Sequence, residues 1–138
     1  MALSQLSIFV ENKPGSLNEI IGALGALEIN IRALSLADTE SFGILRLIVD
    51  HPEQAAEKLR GRYSVKINHV VGVRMEDRPG GLSVPLSVLA NAGVSVEYAY
   101  AFIGKRDNDA CVILRTDNRE KAEAALRAAG IAMVEEIE

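Results

Sequence analysis

The sequence has few of the residues that build disulfides, metal centres and nucleophilic active sites. Its 138 residues include one cysteine, Cys111, so neither an intrachain disulfide nor a zinc cluster of cysteines can form. The apolar run 110–114 around Cys111 predicts a small core residue in a strand rather than a nucleophile. The two histidines, His51 and His69, have no second His, Cys or Glu at ligand spacing, and we expect no metal or cofactor. No Ser-His-Asp or Cys-His set is evident, so we expect a chain that is not an enzyme.

Basic clusters and long apolar runs are also missing. Fifteen Lys and Arg residues are scattered among 19 Asp and Glu residues, which gives a net charge of −4 and disfavours nucleic acid as a partner. No apolar run approaches the roughly 20 residues that span a bilayer, and no basic segment followed by an apolar stretch marks the N-terminus. We therefore expect a soluble cytoplasmic protein that does not bind membranes.

The strongest feature that is present is an internal repeat. The segment 11–17 aligns with 76–82 at an offset of 65, as Pro14 over Pro79 shows. A two-residue insertion then changes the offset to 67, which places Asp50 over Asp117. Because similar residues recur at matching points of one pattern, we infer a duplication.

Each copy has the same predicted order of strands and helices. Apolar residues at helical spacing follow each Pro-Gly pair, and alternating or continuous apolar runs predict the strands. Pro85 is compatible with its helix only in the first turn. The predicted strands are 6–10, 30–36, 43–49 and 65–70 in the first copy, and 71–75, 94–102, 110–114 and 131–137 in the second. The predicted polar turns are 38–41 and 104–109.

The order β-α-β-β-α-β predicts an α+β fold of two ferredoxin-like units that pack together. Each unit is expected to have a four-stranded antiparallel sheet with two helices on one face. The predicted domains are residues 1–70 and 71–138.

The Pro-Gly loop of each copy is the best candidate for a binding site. A helix that begins directly after a turn leaves its first N–H groups unpaired, and with the helix dipole these form a modest anion site. Gly15 and Gly80 allow close backbone approach or supply a positive φ. Asn12 and Asp77 could accept from an ammonium group or cap the turn, so an α-amino acid fits both features. Turn formation alone is the competing interpretation.

The same residues resemble a known family. The segment 11–17 followed by 28–31 resembles an ACT domain, a regulatory module that binds amino acids, and 76–82 followed by 93–96 resembles another. The resemblance covers essentially the whole chain and implies a freestanding tandem ACT protein. In that family the effector lies between two ACT units, against the Pro-Gly loop and the start of the second strand. The positions so implicated are Asn12, Pro14, Gly15, Ser16, Leu17, Asn30, Ile31, Asp77, Pro79, Gly80, Gly81, Leu82 and Val96.

The two copies depart from the family pattern in different ways. The first copy has asparagine at both key positions, Asn12 and Asn30, which is similar to serine-responsive ACT domains, although Val10 stands where those carry histidine. The second copy has Ser95 in place of the strand asparagine, and the carboxylate of Asp77 would attract an ammonium group but repel a carboxylate. We therefore predict two unlike half-sites, of which the first is better equipped.

The resemblance implies a non-catalytic sensor of a free amino acid that regulates a separate enzyme of amino-acid metabolism. We expect a homodimer or an association between the two halves, because small units with an exposed sheet face need a partner. The alternative is an interaction subunit that docks on a metabolic enzyme through its sheets and binds no ligand.

Overall fold

The computed structural model describes residues 3–38, 41–102 and 109–134. Within these ranges it forms an α+β protein with an antiparallel arrangement of strands. The elements in chain order are β1 (Leu3–Glu11), α1 (Ser16–Ala26), β2 (Ile31–Asp38), β3 (Phe42–Val49), α2 (Pro52–Leu59), β4 (Val65–Glu76), α3 (Ser83–Asn91), β5 (Val96–Ala101), β6 (Asp109–Thr116), α4 (Arg119–Ala128) and β7 (Met133–Val134). No helix in the described ranges is long and apolar enough to cross a membrane.

The chain divides into two compact units. The N-terminal unit consists of Ser4–Asn68, and the C-terminal unit begins at His69 and includes Leu3. The strand order is β2-β3-β1-β4 in the N-terminal unit and β5-β6-β4-β7 in the C-terminal unit. Both orders are those of a ferredoxin-like βαββαβ sheet, so the predicted fold class is confirmed.

Each unit has its own hydrophobic core between the sheet and its two helices. In the N-terminal unit, Ile8 and Leu45 of the sheet pack against Ile20 and Leu24 of α1, and all four are fully buried. In the C-terminal unit, Val73 and Leu114 play the same part against Leu89 and Leu126.

Strand register shows that the repeat extends to individual residue pairs. Leu34 pairs with Leu47 in one unit and Ala99 pairs with Leu114 in the other, at the offsets of 65 and 67 read from the sequence. The second strand of each unit also has a register shift at the same place, between Ile31 and Ala33 and between Val96 and Tyr98. A bulge is a conserved device for bending a strand, and its recurrence supports duplication.

Several boundaries differ from the predictions for identifiable reasons. The strands predicted at 65–70 and 71–75 form one strand, β4. Strand β5 begins at Val96 rather than Val94, because the N–H of Val94 closes the end of α3 on the Leu89 carbonyl and the N–H of Ser95 donates to Asp117. Parts of the predicted turns 38–41 and 104–109, and of the predicted strand 131–137, lie outside the described residues.

Cys111 lies in strand β6 as predicted but is only half-buried. The guanidinium of Arg74 on the neighbouring strand lies 3.6 Å from its sulfur. The predicted strand is confirmed, but the predicted core position is only half-buried, because this side chain faces a polar neighbour across the β4–β6 ladder.

Candidate functional site

The Pro-Gly loop of the N-terminal unit connects β1 directly to α1. Gly15 has φ +85° and is the N-cap of the helix, and its position has open space around it, so glycine is needed for backbone conformation. The N–H of Ser16 donates to the Lys13 carbonyl at 3.3 Å. Within the described residues no side chain caps α1, and the amides of Leu17 and Asn18 have no acceptor. These amides match the predicted anion-binding geometry.

The equivalent loop of the C-terminal unit has a different shape. Gly80 keeps the positive φ, +79°, but α3 begins at Ser83, two residues later than the equivalent start of α1. Pro85 explains the delay, because proline lacks the N–H and the space that an interior helical position requires. The intervening residues form tight turns in which Gly81 is buried, and a Cβ there would overlap the carbonyl oxygen of Glu76.

Both loops have an ion pair at equivalent positions. Lys13 lies 3.2 Å from Glu11, and Arg78 lies 2.7 Å from Glu76. Each pair brackets the residue that the resemblance implicates, Asn12 or Asp77. These two residues are exposed, as are Pro14, Pro79 and Leu82.

The start of the second strand is also held alike in both units. The N–H of Asn30 donates to the Asp50 carboxylate at 3.0 Å, and the N–H of Asp50 donates back to the Asn30 carbonyl at 3.2 Å. Ser95 and Asp117 repeat both bonds at 3.0 and 3.1 Å. This reciprocal pair fixes the backbone and leaves the Asn30 side chain exposed. Leu17, Ile31 and Val96 are half-buried against the cores of their units.

The structure does not bring the two predicted halves of the site together within the N-terminal unit. Asn12 follows Glu11, which pairs with Phe42 at one end of β3, whereas Asn30 precedes Ile31, which pairs with Val49 at the other end. Because β3 has eight residues, these ends are roughly 23 Å apart at about 3.3 Å per residue. One amino acid cannot contact both asparagines of one unit.

The sequence predictions missed a pocket beside each loop. The two pockets have volumes of about 410 Å³ in the C-terminal unit and 400 Å³ in the N-terminal unit. The N-terminal pocket is lined by Phe9, Glu11, Lys13, Ser16, Glu19, Phe42, Arg62, Tyr63 and Ser64. The C-terminal pocket is lined by Arg74, Met75, Glu76, Arg78, Gly81, Val84, Pro85, Asp109, Gly130, Ile131 and Ala132.

These pockets occupy equivalent places in the repeat. Phe9 corresponds to Arg74 at the offset of 65, and Tyr63 corresponds to Gly130 at the offset of 67. Among the predicted site residues only Ser16 and Gly81 line them. The signal that could have revealed the first pocket is Phe9, an apolar residue at a strand position facing away from the core.

A polar network forms one side of the N-terminal pocket. The Tyr63 hydroxyl donates to the Glu19 carboxylate at 2.6 Å, and Arg62 forms an ion pair with the same oxygen at 2.5 Å. The bond from Tyr63, aided by the charge of Arg62, lowers the pKa of Glu19 below its ordinary value of 4.5. The same bond raises the pKa of Tyr63.

Among the described residues, no group of three or more His, Cys, Asp and Glu side chains is placed to hold a metal ion.

Comparison with known proteins agrees with the architecture. The chain is 37% identical to protein BT0572 from Bacteroides thetaiotaomicron, with a TM-score of 0.91 over 97% of this chain and 92% of that one. The ligand-free regulatory subunit of aspartate kinase from Thermus thermophilus is 19% identical, with a TM-score of 0.70 over 94% and 91% of the two chains. The corresponding subunit from Thermus flavus is 18% identical, with a TM-score of 0.66 over 94% and 92%.

At 19% and 18% identity the two Thermus proteins share the fold. No curated protein is similar enough in sequence to be matched. The family described as "ACT domain pair" matches residues 1–138, the full length of the chain. The chain therefore belongs to the ACT domain pair family.

Proposed function

We propose that this chain is a non-catalytic sensor that binds a free amino acid and regulates a separate metabolic enzyme. The observation that carries the proposal is the loop of the N-terminal unit, where the left-handed Gly15 precedes a helix in which the amides of Leu17 and Asn18 are unpaired within the described residues. These amides suit a carboxylate, and the exposed Asn12 side chain beside them can accept from an ammonium group.

The ligand in this proposal lies between two copies of the chain in a homodimer. Asn12 and Asn30 are at opposite ends of the same sheet, so a ligand that contacts both must receive them from different ACT units. One copy would supply Asn12, Gly15 and Ser16, and the other copy would supply Asn30 and Ile31. The reciprocal bonds with Asp50 hold the Asn30 backbone ready for such a contact.

The C-terminal loop is the weaker binding site in this proposal. The carboxylate of Asp77 repels the carboxylate of an amino acid, and the tight turns around Gly81 replace the open helix start of the other unit. The division into ACT domains 1–70 and 71–138 is part of the same proposal.

A regulatory role is supported by analogy. Two structural relatives are regulatory subunits of aspartate kinase, and an ACT domain pair fits that kind of role. The enzyme that this chain would regulate is an unidentified partner, and a cytoplasmic location is proposed with it.

Titration calorimetry against the twenty amino acids, with the mass measured by light scattering, tests this proposal. We expect one or a few amino acids to bind to a dimer, and Asn12→Ala and Asn30→Ala each to weaken binding at least about tenfold, since a buried polar contact to a charged group is worth about 1.5–3 kcal/mol. Gly15→Ala should also abolish binding. Gly130→Ala is its control, because Gly130 has a similar φ of +75° and open space but lies in the other unit.

Folded protein that binds none of the twenty amino acids would refute the proposal. Binding that survives Gly15→Ala and Asn12→Ala unchanged would place the ligand elsewhere. A monomer that retains full affinity would remove the second copy from the site.

The alternative, a ligand-free subunit that docks on an enzyme, is favoured by one observation. Leu36 on β2, the edge strand of the N-terminal sheet, is 49% exposed, and Leu34 on the same strand is 36% exposed. Exposed apolar residues on an edge strand suit pairing with another chain. In that case Leu36→Lys would abolish assembly while Asn12→Ala would leave it intact.

A further inference from the structure

The N-terminal pocket is lined by exposed aromatic side chains that the proposed Pro-Gly loop site does not use. Its wall is made by Phe9 and Phe42, which are 51% and 48% exposed. Large aromatic side chains left half-exposed beside a cavity of about 400 Å³ are typical of ligand sites rather than of ordinary surface.

The two rings have a spacing that suits a flat ligand. Phe9 on β1 pairs with Ile44, and Phe42 lies two residues before Ile44 on β3. Phe9 and Phe42 are therefore diagonal neighbours on one sheet face, with Cα atoms about 7–8 Å apart. A third aromatic ring placed between or across them would make offset or edge-to-face contacts with both.

The lining of the pocket also includes hydrogen-bond donors. Within the described residues Arg62 uses one of its five N–H donors on Glu19, and Lys13 uses one of its three on Glu11. Each carboxylate has a cation beside it, and both cations line the pocket and have further N–H groups beyond these ion pairs. The Ser16 hydroxyl adds another donor at the edge of the loop. These donors match a carboxylate.

The equivalent pocket of the C-terminal unit lacks this combination. Arg74 replaces Phe9, Asp109 replaces Phe42 and Gly130 replaces Tyr63. The two pockets have nearly equal volume, so the difference is one of chemistry and not of size. None of the described residues that line the C-terminal pocket is aromatic.

We propose that the N-terminal pocket, whose lining includes the two rings of Phe9 and Phe42 and the cations of Lys13 and Arg62, binds a small molecule that carries an aromatic ring and a carboxylate. This ligand is either an aromatic amino acid or an aromatic carboxylic acid without an ammonium group. This site shares only Ser16 with the proposed Asn12–Asn30 site, and its aromatic and cationic residues belong to the pocket alone.

Binding of L-phenylalanine, phenylpropionate and phenethylamine to the full chain tests the proposal by calorimetry and saturation-transfer NMR. We expect the first or the second to bind and phenethylamine, which lacks the carboxylate, to bind at least about tenfold more weakly. Phe9→Arg, which copies the C-terminal residue Arg74, should weaken the carboxylate ligands at least about tenfold. Phe9→Leu keeps an apolar side chain and tests the ring alone if the arginine variant fails to fold.

Two control variants separate this site from other effects. Val84→Glu introduces a charge at a 50% exposed position of the other unit, the counterpart of Glu19, and affinity should change less than about twofold. Asn30→Ala should likewise leave affinity for these probes unchanged, while it weakens the ligand of the proposed dimer site.

Each outcome decides the proposal. If L-phenylalanine binds more strongly than phenylpropionate, the proposal is supported and the ligand is an aromatic amino acid. If L-phenylalanine binds equally or more weakly, the proposal is supported and the ligand is an aromatic acid without an ammonium group. No binding of either probe, or equal binding of phenethylamine, overturns it. If Phe9→Arg changes the oligomeric mass but not the affinity for the carboxylate probes, the proposal is also overturned. That result would show that a second chain covers the two rings.

Discussion

The end of helix α1 allows a prediction about backbone strain, and the equivalent helix end in the second copy serves as an internal comparison. Glu28 follows this helix with φ +59°, a left-handed conformation, and the equivalent residue after α3 is Gly93 with φ +74°. Both helices end in the same way, since the amides of Ile29 and Val94 donate back to Leu24 and Leu89. This Schellman pattern favours glycine at the left-handed position, and only the second copy has it.

We expect Glu28→Gly to raise the free energy of unfolding by about 0.5–1 kcal/mol. A non-glycine residue in the left-handed region costs roughly 1–2 kcal/mol, and the greater freedom of glycine in the unfolded chain offsets about 0.5–1 kcal/mol of that gain. For a chain of this length the midpoint of thermal unfolding should rise by roughly 2–4 °C. The side chain of Glu28 is exposed and makes no hydrogen bond or ion pair within the described residues, so no contact is lost.

Urea unfolding followed by circular dichroism measures the effect, with Glu28→Ala as the matched control. Alanine removes the carboxylate, which opposes the dipole at the helix end, but keeps the strained backbone, so its gain should be a few tenths of a kcal/mol at most. Gly93→Ala should lower stability by about 1 kcal/mol, since a Cβ there has ordinary contact with Lys121 and only the backbone is strained. If Glu28→Ala stabilises as much as Glu28→Gly, the strain argument is refuted.

Two further predictions concern Gly81, beside the C-terminal Pro-Gly loop, and Glu19, on helix α1. Gly81→Ala should lower the free energy of unfolding in urea by about 1–3 kcal/mol, because its Cβ meets the Glu76 carbonyl. Gly22→Ala, in open space within α1, should instead raise it by about 0.5–1 kcal/mol. A similar response of both variants would contradict the close contact at Gly81. The lowered pKa of Glu19 predicts stability that is full above its unfolded pKa and lost as pH falls through its folded pKa. The stability difference between wild type and Tyr63→Phe should therefore shrink from about pH 7 to about pH 3, and a difference independent of pH would show that the Tyr63 bond does not set the charge of Glu19.

The fold could be predicted from the sequence because its signals are local and occur twice. The two offsets of the repeat give the strand register, as the pairing of Leu34 with Leu47 shows. The predicted strand boundaries were wrong where another hydrogen bond uses a backbone N–H group that the sheet would otherwise use. The alternation around Val94 predicts a strand, but the N–H of Val94 is used by the end of α3.

The candidate site was predictable in part. Gly15 and Gly80 have the expected positive φ, but chain order alone does not show that Asn12 and Asn30 lie at opposite ends of one sheet. That conclusion needs the direction of each strand. The pocket beside the loop was missed because Phe9 and Tyr63 are distant in sequence, and their meeting depends on the pairing of β1 with β4.

Comparison of the two copies separates the residues that maintain the fold from those that can carry a function. The ion pair beside each loop and the reciprocal bonds at each second strand recur at equivalent positions, so they cannot account for a difference in ligand binding. The differences lie instead at positions that face a cavity or solvent, such as Phe9 against Arg74 and Asn12 against Asp77. A duplicated scaffold tolerates such changes because they leave the core untouched. Ligand specificity in this chain should therefore follow the N-terminal unit, and exchanging those two residues between the copies should move it.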